Sequence, residues 1–435
     1  MSNIKETEIE KKKRLKKVAT ATIVGSMLEW YDFYLYATMA SIVFSKVFFD
    51  NSDPGSATLK AFATFAIGFI ARPIGGLFFG YFGDKYGRKK MLFVTFLLMG
   101  LCTTAIGFIP TYESIGIWAA VLLVFFRIIQ GLGAGAEFAG AAITSYEHAS
   151  EEKRGSQGAW PALGLNLGLL LSSLTVFLLT LNGDEFLVNG GWRIPFILSF
   201  VLVLVGLWVR KSLPETPDYE EAHITKAKVK NPFKDIIKTN MKGLMVVFIA
   251  AIGYNALSYI FKTFSLAYLT QFQGVSAHVT SLSVTIASLV AIFSVPFFGW
   301  LCDKWNSKKV LMMGGILSVL FAYPFMKLLE TGDSTSIYIA IAIGTGLLAP
   351  MMFAPQGSFL SRQFAVENRS TGVGSGREIG TAIAGGLAPL GALSLVAASP
   401  THSTTSVIII LALSGILVAI AAFCDQGSKF SKHKN

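Results

Sequence analysis

The sequence is short of charge. Only 14% of its 435 residues are Asp, Glu, Lys or Arg, against 53% hydrophobic, whereas soluble domains carry roughly 25% charged residues. That balance excludes an ordinary water-soluble globule and points to a chain that crosses a membrane many times. Cysteine is scarce too. Cys102, Cys302 and Cys424 all fall in or beside apolar segments; they offer neither a disulfide framework nor zinc-ligand spacing, and packing is the role expected of them. His148, His223, His278 and His402 stand singly in loops or at rims, so no metal site is expected. No Walker loop follows a strand and no G-x-S-x-G elbow occurs. The chain is therefore not expected to be an enzyme, and no catalytic residue is assigned. The apolar runs do not alternate with period two, which excludes membrane strands.

What the sequence does have is long apolar runs. A membrane-crossing helix needs about 20 apolar residues, and about twelve such runs begin near Val18, Leu59, Met91, Ser114, Gly155, Trp192, Lys242, Val279, Val310, Ser336, Ser370 and Ser403. The expected fold is an all-α membrane protein of twelve transmembrane helices. The charged stretch EIEKKKRLKK leads into a first apolar segment too long for a signal peptide's hydrophobic core. The net charge of +11 is a matter of topology, because alternate loops hold nearly all the basic residues. They include the N-tail, Lys85/Arg88/Lys89/Lys90, Lys153/Arg154, the central loop, Lys304/Lys308/Lys309 and the C-tail. That asymmetry places both termini in the cytoplasm, with an even number of spans. Lipid and a small organic solute are the partners expected, nucleic acid is not, and a monomer is the expected working unit.

The longest polar interruption, RKSLPETPDYEEAHITKAKVKNPFKDIIKTNMK, separates two halves of six spans each. The division is a basic tail over 1–17, a bundle over 18–209, a central loop over 210–241, a second bundle over 242–424 and a tail over 425–435. The halves repeat one another. GYFGDKYGRKK recurs as GWLCDKWNSKK, pairing Gly80 with Gly299 and Asp84 with Asp303, and further on Phe138 pairs with Phe353 and Arg154 with Arg369. Parallel repeats with a solute site between them near the membrane midplane are a common transporter plan.

Gly80, Asp84, Gly87, Arg88 and Lys89 match the G-x-x-x-D-x-x-G-R-K loop signature of the major facilitator superfamily, and RIIQG at Arg127 to Gly131 resembles its fourth-span motif. LEWYDF, ARPIGG, GAEFAGA, Glu147 to Gly155, GWRIPF and SLPETPDYEE together resemble the metabolite:proton symporter family within it. That family carries shikimate, α-ketoglutarate, citrate and proline or betaine, and ATFAIGFIARPIGG and FVLVLVGLWVR are most similar to its shikimate-transporter branch. The resemblance implies a secondary transporter that takes up a small organic anion or zwitterion with protons, by alternating access, with no cofactor beyond the coupling proton. The alternatives are an efflux antiporter, an osmolyte carrier and, more remotely, a membrane sensor that does not transport. The short C-tail weakens the osmolyte reading, because osmosensing relatives end in a long coiled coil.

Charged residues inside a membrane span are costly and usually functional. Glu29 and Asp32 lie one turn apart in the first span, on a stripe with Gly25 and Tyr36, and that stripe is expected to line a wet cavity. The resemblance makes Asp32 the first choice for proton coupling, with Glu29 and Glu137 behind it; a structural ion pair with Arg72 or Arg127 is the alternative for Asp32. Arg127, Gln130, Ala134 and Glu137 share one face of the fourth span. Arg72, with its planar fork of donors, is the leading candidate to hold an organic anion, with a helix-bend ion pair as the alternative; Tyr36, Arg127, Gln130, Arg377 and Glu378 are the other candidates for the solute site. Arg377 and Glu378 are adjacent and so point about 100 degrees apart, which lets at most one of them face the cavity squarely. Lys262 and Arg193 are weaker candidates. A latch between the halves is expected from Gly80, Asp84, Gly87 and Arg88, with Asp84 against the start of a second-half helix, and from Glu147 and Arg154. In the second copy Asp303 is retained, but Asn306 and Ser307 replace Gly87 and Arg88, so that copy is expected to gate weakly.

Overall fold

A computed structural model describes residues 8–50, 54–86, 88–135, 137–211, 232–365 and 369–427. All regular elements among the described residues are helical, and twelve long helices make the fold. The first half comprises α1 (Glu8–Ile42), α2 (Pro54–Tyr86), α3 (Arg88–Ile106), α4 (Ile117–His148), α5 (Glu151–Thr180) and α6 (Leu187–Val209). The second comprises α7 (Met241–Gln271), α8 (Ala277–Trp305), α9 (Ser307–Glu330), α10 (Ser334–Ser361), α11 (Arg369–Ala398) and α12 (Thr405–Phe423). Ten of these helices are long and apolar enough to cross a membrane. The two that fall short are α1, whose middle carries Glu29 and Asp32, and α3, whose apolar stretch Phe93–Ile106 is brief. The basic stretch assigned to the tail is helical from Glu8 and continuous with the rest of α1, and the central loop ends in a short helix, Pro232–Thr239.

Local chemistry sets the joints. Side chains of Asn240, Ser276 and Asp333 accept from backbone N–H groups at the starts of α7, α8 and α10, satisfying donors that the first turn leaves free. Asn306, between α8 and α9, has φ +84 and accepts from Lys308 N. Asparagine is among the few residues other than glycine that visit positive φ readily, which explains how it can stand where the first copy has Gly87.

The repeat is visible in the packing. In the first half α1 packs on α5, α2 on α4 and α3 on α6; in the second α7 packs on α11, α8 on α10 and α9 on α12. Between halves, α2 meets α11 and α5 meets α8, and the repeat interchanges these two contacts. Glycine permits the closest approaches. A Cβ on Gly75 would lie 1.9 Å from the Leu132 carbonyl oxygen, one on Gly131 2.2 Å from that of Gly68, and one on Gly135 2.0 Å from that of Arg72. Backbone therefore rests on backbone where α2 crosses α4, as small residues allow in membrane bundles. Gly131→Ala is expected to cost about 3 kcal/mol, the upper range for overpacking, because only main chain could yield. Gly391→Ala, where nothing lies within 4 Å, should be neutral. Thermal unfolding in detergent, followed by size-exclusion fluorescence, compares the two.

Candidate functional site

The α2–α11 contact carries the most concentrated charge in the interior. Arg72, one residue before Pro73 in α2, donates from Nε to Glu378 Oε2 of α11 at 2.7 Å. Arg377 Nη1 donates to the other oxygen, Glu378 Oε1, at 2.6 Å. Arg72 Nη2 also reaches the Ala134 carbonyl at 3.3 Å and lies 3.8 Å from Glu29 Oε1 of α1. The four side chains are at most 1% exposed. Arg377 sits 3.4 Å over the Phe138 ring, and Arg72 stands near the rings of Trp30, Phe33 and Phe69, contacts that favour cations through the ring quadrupole. Arg72 Nη1 and Arg377 Nε and Nη2 have no hydrogen-bond acceptor among the described residues. Tyr254, stacked on Phe353, and Tyr259, edge-on to Phe65 and Phe69, wall the second-half side.

A second link joins the halves through Lys262. It lies in a wide i→i+5 turn of α7, Ile260–Phe264, and donates to Tyr34 Oη of α1 at 2.9 Å and to Ser258 Oγ at 2.8 Å. Such turns recur at functional sites. A similar turn in α10, Ala342–Leu348, faces it, with Thr345 Oγ1 donating to the Phe261 carbonyl.

Other expected site residues lie inside the first half. Asp32 accepts from Ser199 Oγ of α6 at 3.0 Å, with Thr103 of α3 beside it. Neither Arg72 nor Arg127 is its hydrogen-bond partner. Gln130 donates to Thr103 Oγ1 at 2.7 Å and accepts from Arg127 Nη1 at 2.5 Å. The Arg127 guanidinium lies 4.1 Å over the Tyr36 ring and 4.3 Å over that of Phe33, and Tyr36 donates to Thr64. Glu137 is buried in α4 beside Phe138. Thus Arg72, Arg377, Glu378 and Glu29 meet between the halves, whereas Asp32, Tyr36, Arg127 and Gln130 form a polar chain within one of them.

Three expectations change. The stripe expected to line a wet cavity is packed against protein: Glu29 and Asp32 are 1% and 4% exposed and Tyr36 is fully buried. Arg377 and Glu378 both join one cluster, because their long side chains converge even though their Cα–Cβ bonds diverge. The second loop copy is engaged. Asp303 Oδ1 accepts from Gly155 N at 2.7 Å, and the carboxylate also takes the N–H and hydroxyl of Ser156, all at the start of α5. The side chains of Gly80, Asp84, Gly87 and Arg88 lie outside the described residues. Nearby, Glu147 of α4 pairs with Arg369 of α11 at 3.1 Å, while Arg154 pairs within its own helix with Glu151 and lies over Tyr146. At the opposite end Gln271 of α7 donates to Thr58 of α2, and Phe177 of α5 contacts His278 of α8. The halves touch at both ends, over a buried charged centre. Residue types gave no warning of Ser199, Tyr34 or Phe138, whereas the repeat itself pointed to Asp303.

Two pseudo-symmetric six-helix bundles with a charged cluster between them define a membrane carrier. Residues 18–240 match the family model described as Sugar (and other) transporter, and residues 244–430 that described as Major Facilitator Superfamily. The chain is 33% identical to the shikimate transporter of Escherichia coli (strain K12), over 93% of both chains. It is 37% identical to the inner membrane metabolite transport protein YhjE of the same strain, over 86% of both. The Escherichia coli xylose transporter XylE, in a partially occluded inward open conformation, has the same fold, with TM-score 0.70 at 15% identity over 94% of this chain and 97% of that one. The chain belongs to the major facilitator superfamily, in its metabolite-transporter branch, and is a multi-pass membrane transporter rather than an enzyme.

Proposed function

We propose that the protein takes up a small organic anion or zwitterion, of the shikimate-like monocarboxylate class, together with a proton. In this reading it works by alternating access in a bacterial cytoplasmic membrane, as a monomer with both termini in the cytoplasm and no cofactor beyond the coupling proton. One observation carries the proposal: Arg72 and Arg377, fully buried where the halves meet, retain hydrogen-bond donors without acceptors among the described residues. Buried donors left unpaired are costly, and a carboxylate that bridges two guanidinium groups would satisfy them in the planar geometry arginine favours. The aromatic walls formed by Trp30, Phe69, Tyr254 and Tyr259 suit a compact carbon skeleton behind such a carboxylate. Contacts at the two ends, Asp303 with Gly155 and Ser156 at one and Gln271 with Thr58 at the other, would break in turn as the halves rock. Asp32, Glu29 and Glu137 are buried acids available to relay protons.

Purified protein in liposomes, alkaline inside, should accumulate one or more of shikimate, lactate, benzoate, proline and glycine betaine above the level reached in protein-free liposomes under the same ΔpH. A protonophore should abolish the gain. Failure to accumulate any of the five under an imposed ΔpH overturns the proposal. Preferential export of apolar compounds against the proton gradient would favour the antiporter instead.

A further inference from the structure

Glu378 lies between the two arginines to which the reading above assigns the solute carboxylate. Its two oxygens are gripped by arginines from opposite halves, Arg72 at 2.7 Å and Arg377 at 2.6 Å. It is 1% exposed, and its stem runs past Gly76 of α2, where even an added Cβ would stand 3.9 Å away. The charged and titratable groups around this pair of arginines are Glu29 and Tyr34 of α1, Arg127 of α4, and Tyr254 and Tyr259 of α7. A solute carboxylate and Glu378 would compete for the same two guanidinium groups, the solute completing the forks at Arg72 Nη1 and at Arg377 Nε and Nη2 that Glu378 leaves open.

We propose that Glu378 is a built-in stand-in for the solute: the arriving carboxylate displaces it from Arg72 and Arg377, and the displaced Glu378 takes up the coupling proton. This rests on the anion-symport reading above and assigns the coupling step to a residue of the solute site itself, not to Asp32. The balance is simple. One negative charge arrives on the solute, one proton neutralises Glu378, and the charge of the centre is unchanged. An ionised Glu378 cut off from both guanidinium groups would be a buried unpaired charge, which proteins avoid by neutralising the group. Exchange also cuts the one described ion pair that ties α2 to α11 across the halves, so loading and release for reorientation become the same event. Uptake of a monocarboxylate by this route is electroneutral.

Glu378→Gln separates the steps, because the amide can still leave the arginines but cannot pick up a proton. The probe is whichever of shikimate, lactate and benzoate the wild type exchanges in counterflow. The variant should still bind and exchange the probe in counterflow, with altered affinity, and lose ΔpH-driven accumulation altogether. Accumulation at the wild-type level overturns the inference, as does loss of counterflow in a variant that still binds the probe. Should the variant not be recovered folded, the wild type decides. In lightly buffered detergent solution, adding the probe should draw one proton per site from the medium, and uptake into liposomes should not respond to an imposed membrane potential. No proton uptake, or a clear response to potential, overturns the inference. Absence of wild-type counterflow with every probe would instead overturn the anion-carrier reading beneath it.

Discussion

Arg72→Ala is expected to abolish solute uptake and to leave a less stable carrier. The guanidinium fork makes three contacts at once, with Glu378, the Ala134 carbonyl and Glu29. Truncating it strips a cation from between two carboxylates in a site closed to water, and breaking a buried pair by removing one partner typically costs about 3–5 kcal/mol. The more informative change is Arg72→Lys, which keeps the charge but replaces a planar fork by a single point donor. Hydrogen bonds to charged groups are worth about 1.5–3 kcal/mol each, so losing one to the solute should raise KM by about 10- to 150-fold, with a smaller effect on thermal stability than alanine. Arg127→Lys is the comparison. That side chain lies between the Phe33 and Tyr36 rings within one half, and its replacement should lower stability more than affinity. Uptake kinetics and thermal unfolding of the three variants check the ordering. An Arg72→Lys carrier within twofold of wild-type KM would remove Arg72 from the solute site.

How far the sequence reveals these features follows from the physics of each. Helix number and class were legible because hydrocarbon demands long apolar runs, and the division into halves was legible because two loop copies kept their spacing. The start of α1 was not, since helix formation continues from Val18 back through the Lys-rich segment, where hydropathy gives no signal. Buried charge marked residues that the fold packs into its interior, but not their partners. Asp32 and Glu29 share a stripe, yet α1 contacts different neighbours at the two levels, and one acid faces Ser199 of α6 while the other faces Arg72 of α2. Arg377 and Glu378 show the limit of counting degrees around a helix, because flexible stems several bonds long can bring their heads together. The second loop copy was undervalued for a related reason. Asn306 supplies the positive φ that a glycine would otherwise provide, so losing the glycine did not cost the turn that presents Asp303.

Removing that carboxylate with Asp303→Asn is expected to open the end of the molecule where Asp303 meets α5. Asp303 gathers two backbone N–H groups and a hydroxyl at the start of α5, where the helix dipole also favours a negative charge. An amide would keep part of the hydrogen bonding and lose the charge. At about 2 kcal/mol for the charge-assisted component, the ratio of closed to open carriers falls about 30-fold. Gly155→Val tests the same joint through shape alone. A Cβ there would lie 2.6 Å from Asp303 Oδ1, 2.7 Å from the Cys302 Cβ and 2.7 Å from the Gly299 carbonyl oxygen, so the branched side chain must push α5 and α8 apart. The native thiol reports the result. Cys302 is 6% exposed beside the joint, and with Cys102 and Cys424 replaced by serine it becomes the sole target for a maleimide added to the detergent-solubilised protein. Labelling should accelerate by about an order of magnitude or more in both variants, in line with the energy above. Unchanged labelling in Asp303→Asn would mean that closure is held elsewhere, with Glu147 and Arg369 the next pair to test.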